Sequence, residues 1–183
     1  TPSTSIGRIR LGDALIFQGG ASATRGRTLV RDGWVGGSFD PATELAIVQE
    51  HGTLFTQADE RTRLENLLWR GQLTPARRQL ARITGSTAVA KARIALAGGT
   101  RGAKAALTAV DGSSDPGLLY DWATALRREG QDDAAHAMLL RIPAGSLKDH
   151  AANWWNEHHI EARDALNDGD PRMAIRLLEH AAL

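Results

Sequence analysis

The sequence predicts an all-α chain, a right-handed superhelix of stacked helical hairpins of the tetratricopeptide-like solenoid type. Three observations carry this prediction. First, a Gly recurs with a small residue near the fifth position after it and a Leu nine after it, at Gly20/Leu29, Gly71/Ala76/Leu80, Gly98/Ala103/Leu107, Gly130/Ala135/Leu139 and Gly169/Ala174/Leu178. Gly closes one helix through a left-handed turn, and the Ala and Leu then share one face of the next helix. Second, four of the six prolines follow a good N-cap residue, at Asp40-Pro41, Thr74-Pro75, Asp115-Pro116 and Asp170-Pro171. Third, no segment of useful length alternates apolar and polar residues, and the β-branched runs that mark strands are absent. A hairpin of this kind buries its apolar face only against its neighbours, so residues 1–183 are expected to form a single repeat domain.

The elements follow in order. Ile6, Ile9, Leu11, Leu15 and Ile16 form a helical stripe that predicts a helix over 5–18. The stripe starts so early that Thr1 reads as a processed or truncated start. Gly19-Gly20 turns the chain into a second helix over 23–34, and Gly33-Trp-Val-Gly-Gly-Ser-Phe-Asp reads as the corner after it. That segment lacks the spacing and the preceding strand of a phosphate loop. Asp40-Pro41 opens 41–51; Leu64, Leu67, Leu68 and Trp69 stripe a helix over 57–70; Thr74-Pro75 opens 75–83. Helices over 87–97 and 101–110 flank Gly98-Gly99, and Asp111-Gly-Ser-Ser turns into 116–129, striped by Leu118, Leu119, Trp122 and Leu126. Helices over 132–142, 149–167 and 171–182 complete the chain.

Composition excludes several classes of function. Hydrophobic residues make up 42% and charged residues 23%, as in a globular protein with a real core. The net charge of +1 gives no global field to attract nucleic acid or an anionic membrane. Arg77 with Arg78, and Arg127 with Arg128, are therefore assigned to solvated helix faces. Without Cys there is no disulfide, thiol nucleophile or thiolate metal site. No targeting signal and no apolar run of about 18 residues is visible, so no transmembrane segment is expected.

The densest cluster of reactive side chains is Asn153-Trp-Trp-Asn-Glu-His-His-Ile-Glu-Ala-Arg. On a helix, His158 and Glu161 share a face, as do Glu157 and Glu161, but a zinc helix needs two His at i and i+4, and adjacent His158 and His159 diverge by about 100°. These side chains are assigned to surface pairs with Arg163 and its neighbours; no metal, cofactor or catalytic residue is assigned. Trp34, Trp69, Trp122, Trp154, Trp155 and Tyr120 could stack sugars or bases, but Trp69 and Trp122 lie inside apolar stripes and are assigned to the core. Trp154 and Trp155 are consecutive and cannot face one core, which makes them the candidate surface contacts.

Several phrases in order resemble the N-terminal superhelical domain of soluble lytic murein transglycosylases. They are Glu50-His-Gly-Thr-Leu-Phe-Thr-Gln-Ala-Asp, Arg63-Leu-Glu-Asn-Leu-Leu-Trp-Arg-Gly-Gln, Ala76-Arg-Arg-Gln-Leu and Ala90-Lys-Ala-Arg-Ile-Ala-Leu. After them come Asp115-Pro-Gly-Leu-Leu-Tyr-Asp, Leu126-Arg-Arg-Glu-Gly-Gln, Leu139-Leu-Arg-Ile-Pro, Trp154-Trp-Asn-Glu-His-His-Ile, Ala162-Arg, Gly169-Asp and Ala174-Ile-Arg-Leu.

The resemblance implies a periplasmic, non-catalytic scaffold that touches peptidoglycan, its own lysozyme-like catalytic domain, or both. The family's catalytic Glu-Ser pair and Gly-Leu-Met-Gln motif do not occur in this sequence. Glycan cleavage to a 1,6-anhydro product would belong to a catalytic domain beyond Leu183, and this chain alone is expected to be inactive. The alternative is a free-standing tetratricopeptide-like protein adaptor; RNA binding by a helical repeat is a weaker third.

Overall fold

The structure, a computed structural model, describes residues 2–143, 146 and 150–181. Among them there is no strand. The α-helices are α1 (Ser5–Gln18), α2 (Gly20–Gly36), α3 (Pro41–His51), α4 (Gln57–Trp69), α5 (Leu73–Gln79), α6 (Ala88–Leu96), α7 (Thr100–Thr108), α8 (Pro116–Arg128), α9 (Asp132–Leu140), α10 (Ala151–Asn167) and α11 (Pro171–Ala181). Each matches one helix expected from the sequence. Residues 149 and 182, the expected start of the tenth helix and end of the last, lie outside the described residues, as do Thr1 and Leu183.

The helix ends follow from local chemistry. Asp40 Oδ1 accepts from the amides of Ala42 and Thr43, Asp115 Oδ1 from Leu118 and Asp170 Oδ1 from Met173, so three of the four Pro-marked starts stand. Thr56 and Asp59 form a reciprocal capping box at α4, a signal the sequence carried unread. Three corners share one geometry. Gly71, Gly130 and Gly169 have φ of 65°, 69° and 81°. In each, the amide after the glycine bonds back five residues, Gln72 to Leu67 O (2.8 Å), Gln131 to Leu126 O (3.0 Å) and Asp170 to Ala165 O (2.8 Å). The left-handed glycine brings those amides round to the last carbonyls of the helix.

Three corners differ from expectation, one of them the turn after α2. Helix α5 begins at Leu73, so Pro75 lies within its first turn; an amide there would have no intrahelical partner, and the missing N–H costs nothing. In the third Gly–Ala–Leu copy the left-handed residue is Gly99 (φ 93°) and not Gly98. The small residue of each later copy is buried as expected: Ala76, Ala103 and Ala135 are wholly buried and Ala174 nearly so. In the last copy Leu177 takes the fully buried place, and Leu178 is half-buried.

The described residues group into two compact units, Thr1–Thr87 and Ala88–Leu183. In the first, α1 and α2 pack so closely that glycine is required between them. A Cβ on Gly12 would stand 2.7 Å from Gly26 O, one on Gly26 2.6 Å from Gly12 O, and one on Gly33 2.8 Å from Ser5 O. Gly33 is thus an interface residue inside α2; the corner itself occupies 37–40. Helix α4 packs on α2, and α5 on α4. The second unit is three hairpins, α6/α7, α8/α9 and α10/α11, with α8 packed on α6 and α9 on α11. Ala92, Leu96, Ala103, Leu107, Leu118 and Ala125 form a core shared by the first two hairpins.

Several polar contacts between neighbouring hairpins span 28 to 30 residues, while others span 25, as from His136 to Glu161, or 38, as from His180 to Ile142. Arg93 Nε donates to Asp121 at 2.6 Å, 28 residues on; the Thr100 amide to Glu129 at 2.7 Å, 29 on; and Arg127 Nε to Glu157 at 2.8 Å, 30 on. In the first unit Arg31 bonds Asp59, 28 residues on.

Candidate functional site

The first unit is organised around Trp34, which is wholly buried and closed to any ligand. Phe55 and Phe39 stack with it, and Arg63 lies 3.9 Å from its ring centroid. Arg63 is itself fully buried. Its Nε donates to Gln79 Oε1 (3.1 Å), its Nη1 to Trp34 O (2.6 Å) and to Gly37 O, and its Nη2 to Glu44 Oε2 (3.4 Å). Burial pulls its pKa down to about 10, with Glu44 and Glu60 opposing, so it stays charged at neutral pH. Glu60 accepts from Trp34 Nε1 (3.0 Å), Gln79 Nε2 (2.7 Å) and Arg82 Nε (2.8 Å). With its charges paired inside the fold, this network organises helices.

The second unit buries the cluster picked out as reactive, against expectation. Glu157, His158 and Glu161 are 2%, 0% and 0% exposed, so they are not surface partners of Arg163. Helix α10 turns that face inward because α8 and α9 supply counter-charges: Arg127 grips Glu157, and His136 Nε2 stands 2.9 Å from Glu161 Oε2. The contact with Glu161 holds His136 above its ordinary pKa of 6.5, and burial pushes Glu161 up as well. His158 Nδ1 donates to the Trp154 carbonyl at 3.0 Å and its ring stacks on His180; burial pulls its pKa down. The basic pairs are likewise divided: Arg78 and Arg127 bond buried Glu44 and Glu157, and only Arg77 and Arg128 are solvated.

The consecutive tryptophans part as their spacing requires. Trp154 is buried, edge-on to Tyr120 at 5.2 Å, while Trp155 is 55% exposed and stacks on His159. Trp69 and Trp122 are half-buried and not fully interior; Trp122 packs on the margin of the second unit's core.

One group combines converging ligand atoms with a cavity. Asp13 of α1 and Glu50 and His51 at the end of α3 each offer a donor atom, all within 4.8 Å of one another. They line a cavity of about 390 Å³ with Ile16, Phe17, Arg27, Thr53 and Leu54. Burial raises the Asp13 pKa, and Glu50 adds to this, against the opposing pull of His51. The sequence gives no sign of this group, because the residues come from two helices and match no ligand spacing.

Fold and buried networks together define an all-helical protein whose described helices pack in contact. No helix among the described residues is long and apolar enough to cross a membrane. Comparison with protein-family models, with curated proteins and with solved structures finds no match.

Proposed function

We propose that this chain is a right-handed superhelical scaffold of stacked hairpins, acting as the non-catalytic part of a periplasmic lytic murein transglycosylase. The observation that supports it is a set of inter-hairpin bonds that each span 28 to 30 residues, somewhat short of the roughly 34 residues of a tetratricopeptide repeat. The phrases on which the family resemblance rests supply those bonds, with Arg93, Asp121, Arg127, Glu129 and Glu157 all drawn from them. Such residues hold a stack together, so the scaffold rather than an active site is what this chain brings to the enzyme. Exposed Trp155 is the proposed contact, an aromatic face suited to a sugar ring or a neighbouring domain.

Co-sedimentation with purified peptidoglycan, and binding to an isolated lysozyme-like catalytic domain, test the reading. Association with either, with no release of 1,6-anhydro-muropeptides by the chain alone, is the expected result. Release by a contaminant-free sample overturns it. Association with neither, together with cross-linking in the source cell to an unrelated protein, overturns it in favour of the adaptor.

A further inference from the structure

We propose that Asp13, Glu50 and His51 bind a divalent transition cation, with Zn²⁺ as the best match. This goes beyond the scaffold reading and does not rest on it. His51 Nε2 lies 2.9 Å from Asp13 Oδ1 and 3.7 Å from Glu50 Oε2. Ligands at about 2.0–2.2 Å from a tetrahedral ion stand roughly 3.4 Å apart, and the two observed separations bracket that value. One imidazole nitrogen with two carboxylate oxygens suits Zn²⁺; Ca²⁺ and Mg²⁺ take oxygen alone.

The second observation is the burial of His51 at the same atoms. His51 is only 7% exposed, yet neither its Nε2 nor Asp13 Oδ1 has an aligned hydrogen-bond partner, despite their close approach. Two lone-pair atoms this close need positive charge between them, supplied by a proton on His51 or by a bound cation. A cation between the three groups would engage both atoms at once.

Local structure explains how neighbours in sequence converge. His51 is the last residue of α3, where the backbone leaves the helix (φ −120°, ψ 2°) for a single 3-10 turn over Gly52–Leu54. The divergence expected of adjacent helical residues no longer applies there. The C-terminal end of α3 also carries the partial negative charge that favours a cation. The cavity gives an ion a way in and leaves room for a water or an added ligand at the remaining coordination position.

The test uses the full chain, free of any affinity tag and stripped with a chelator, titrated with Zn²⁺ by calorimetry and with Co²⁺ by visible absorption. One ion per chain is expected, with a Co²⁺ spectrum of low-symmetry N/O coordination. Glu50→Gln should weaken Zn²⁺ binding by about tenfold or more, since even groups that only support a ligand are worth that much. Because Glu50 is 68% exposed at its side chain, this variant keeps the fold even if His51→Ala does not. His159→Ala, which alters an exposed imidazole elsewhere, should leave binding unchanged. The proposal is overturned by the absence of saturable binding. It is equally overturned if Glu50→Gln leaves the affinity intact or His159→Ala abolishes it.

Discussion

The Arg63 guanidinium lies 3.9 Å from the centroid of the Trp34 ring, while the indole Nε1 on that ring's rim donates to Glu60 at 3.0 Å. One buried aromatic thus places a cation against its electron-rich face and an anion at its electron-poor edge. The α2, α4 and α5 helices meet at this point, because Trp34, Arg63 with Glu60, and Gln79 come one set from each.

Arg63→Ala should therefore cost about 3–5 kcal/mol, the usual effect of removing one partner of a buried charged pair. It would leave the Gly37 carbonyl without its donor and remove one donor each from Glu44, which also accepts from Arg78, and from the Trp34 carbonyl, which also accepts from the Gly37 amide. Arg63→Lys should also destabilise, since one ammonium cannot span acceptors set around a planar fork. Urea unfolding of both variants checks this; a loss below about 1 kcal/mol for the alanine variant contradicts it.

Two glycine substitutions should move stability in opposite directions. Gly26→Ala drives a methyl against the Gly12 carbonyl and should cost about 1–3 kcal/mol through overpacking of α1 on α2. Gly102→Ala, inside α7 with open space around it, should stabilise by roughly 0.5–1 kcal/mol through helix propensity. Shifts of the same sign in the two urea midpoints would refute the close-packing account of α1 and α2.

The adjacent tryptophans make a second contrast. Trp154→Ala should cost about 3–5 kcal/mol as a buried aromatic truncation. Trp155→Ala should change stability by no more than about 0.5 kcal/mol. The same Trp155 variant should weaken whatever association the peptidoglycan assay detects, without altering the thermal melt.

The pH dependence of the second unit has a definite sign. His136 and Glu161 both titrate above their ordinary values of 6.5 and 4.5, so the folded state holds their protons more tightly than the unfolded one. Their contribution is complete below those ordinary values and is lost as pH rises through the folded ones. His158 has a lowered pKa and acts oppositely, its contribution being complete above 6.5 and lost as pH falls. The groups that set the His136 shift are Glu161, Asp132 and Asp133. His136→Gln should thus lose more stability at about pH 6 than at about pH 9, as unfolding midpoints at the two pH values would report. A penalty that grows towards high pH would contradict the pairing.

Much of the fold was legible because its signals are local. Gly71, Gly130 and Gly169 mark corners that need φ > 0, and Asp40 and Asp115 satisfy amides in the next turn, so each is decided within a few residues. The candidate cation site was not legible, since Asp13 meets Glu50 and His51 across 37 or more positions and only after α1 and α3 have packed. The inward turn of Glu157 and Glu161 was missed for a related reason. A helical pattern shows which residues share a face, but not whether Arg127 and His136 wait opposite it.

By itself the sequence determined the helices, their order and most of the corners between them, since hydrogen bonding within a turn or two settles those. Only the tertiary structure decided which charged side chains are interior, which of two neighbouring tryptophans faces water and which glycines are interfaces. Those outcomes depend on what another helix brings to the same place: a counter-charge offsets the desolvation of Glu157, and a carbonyl against Gly26 forbids a side chain.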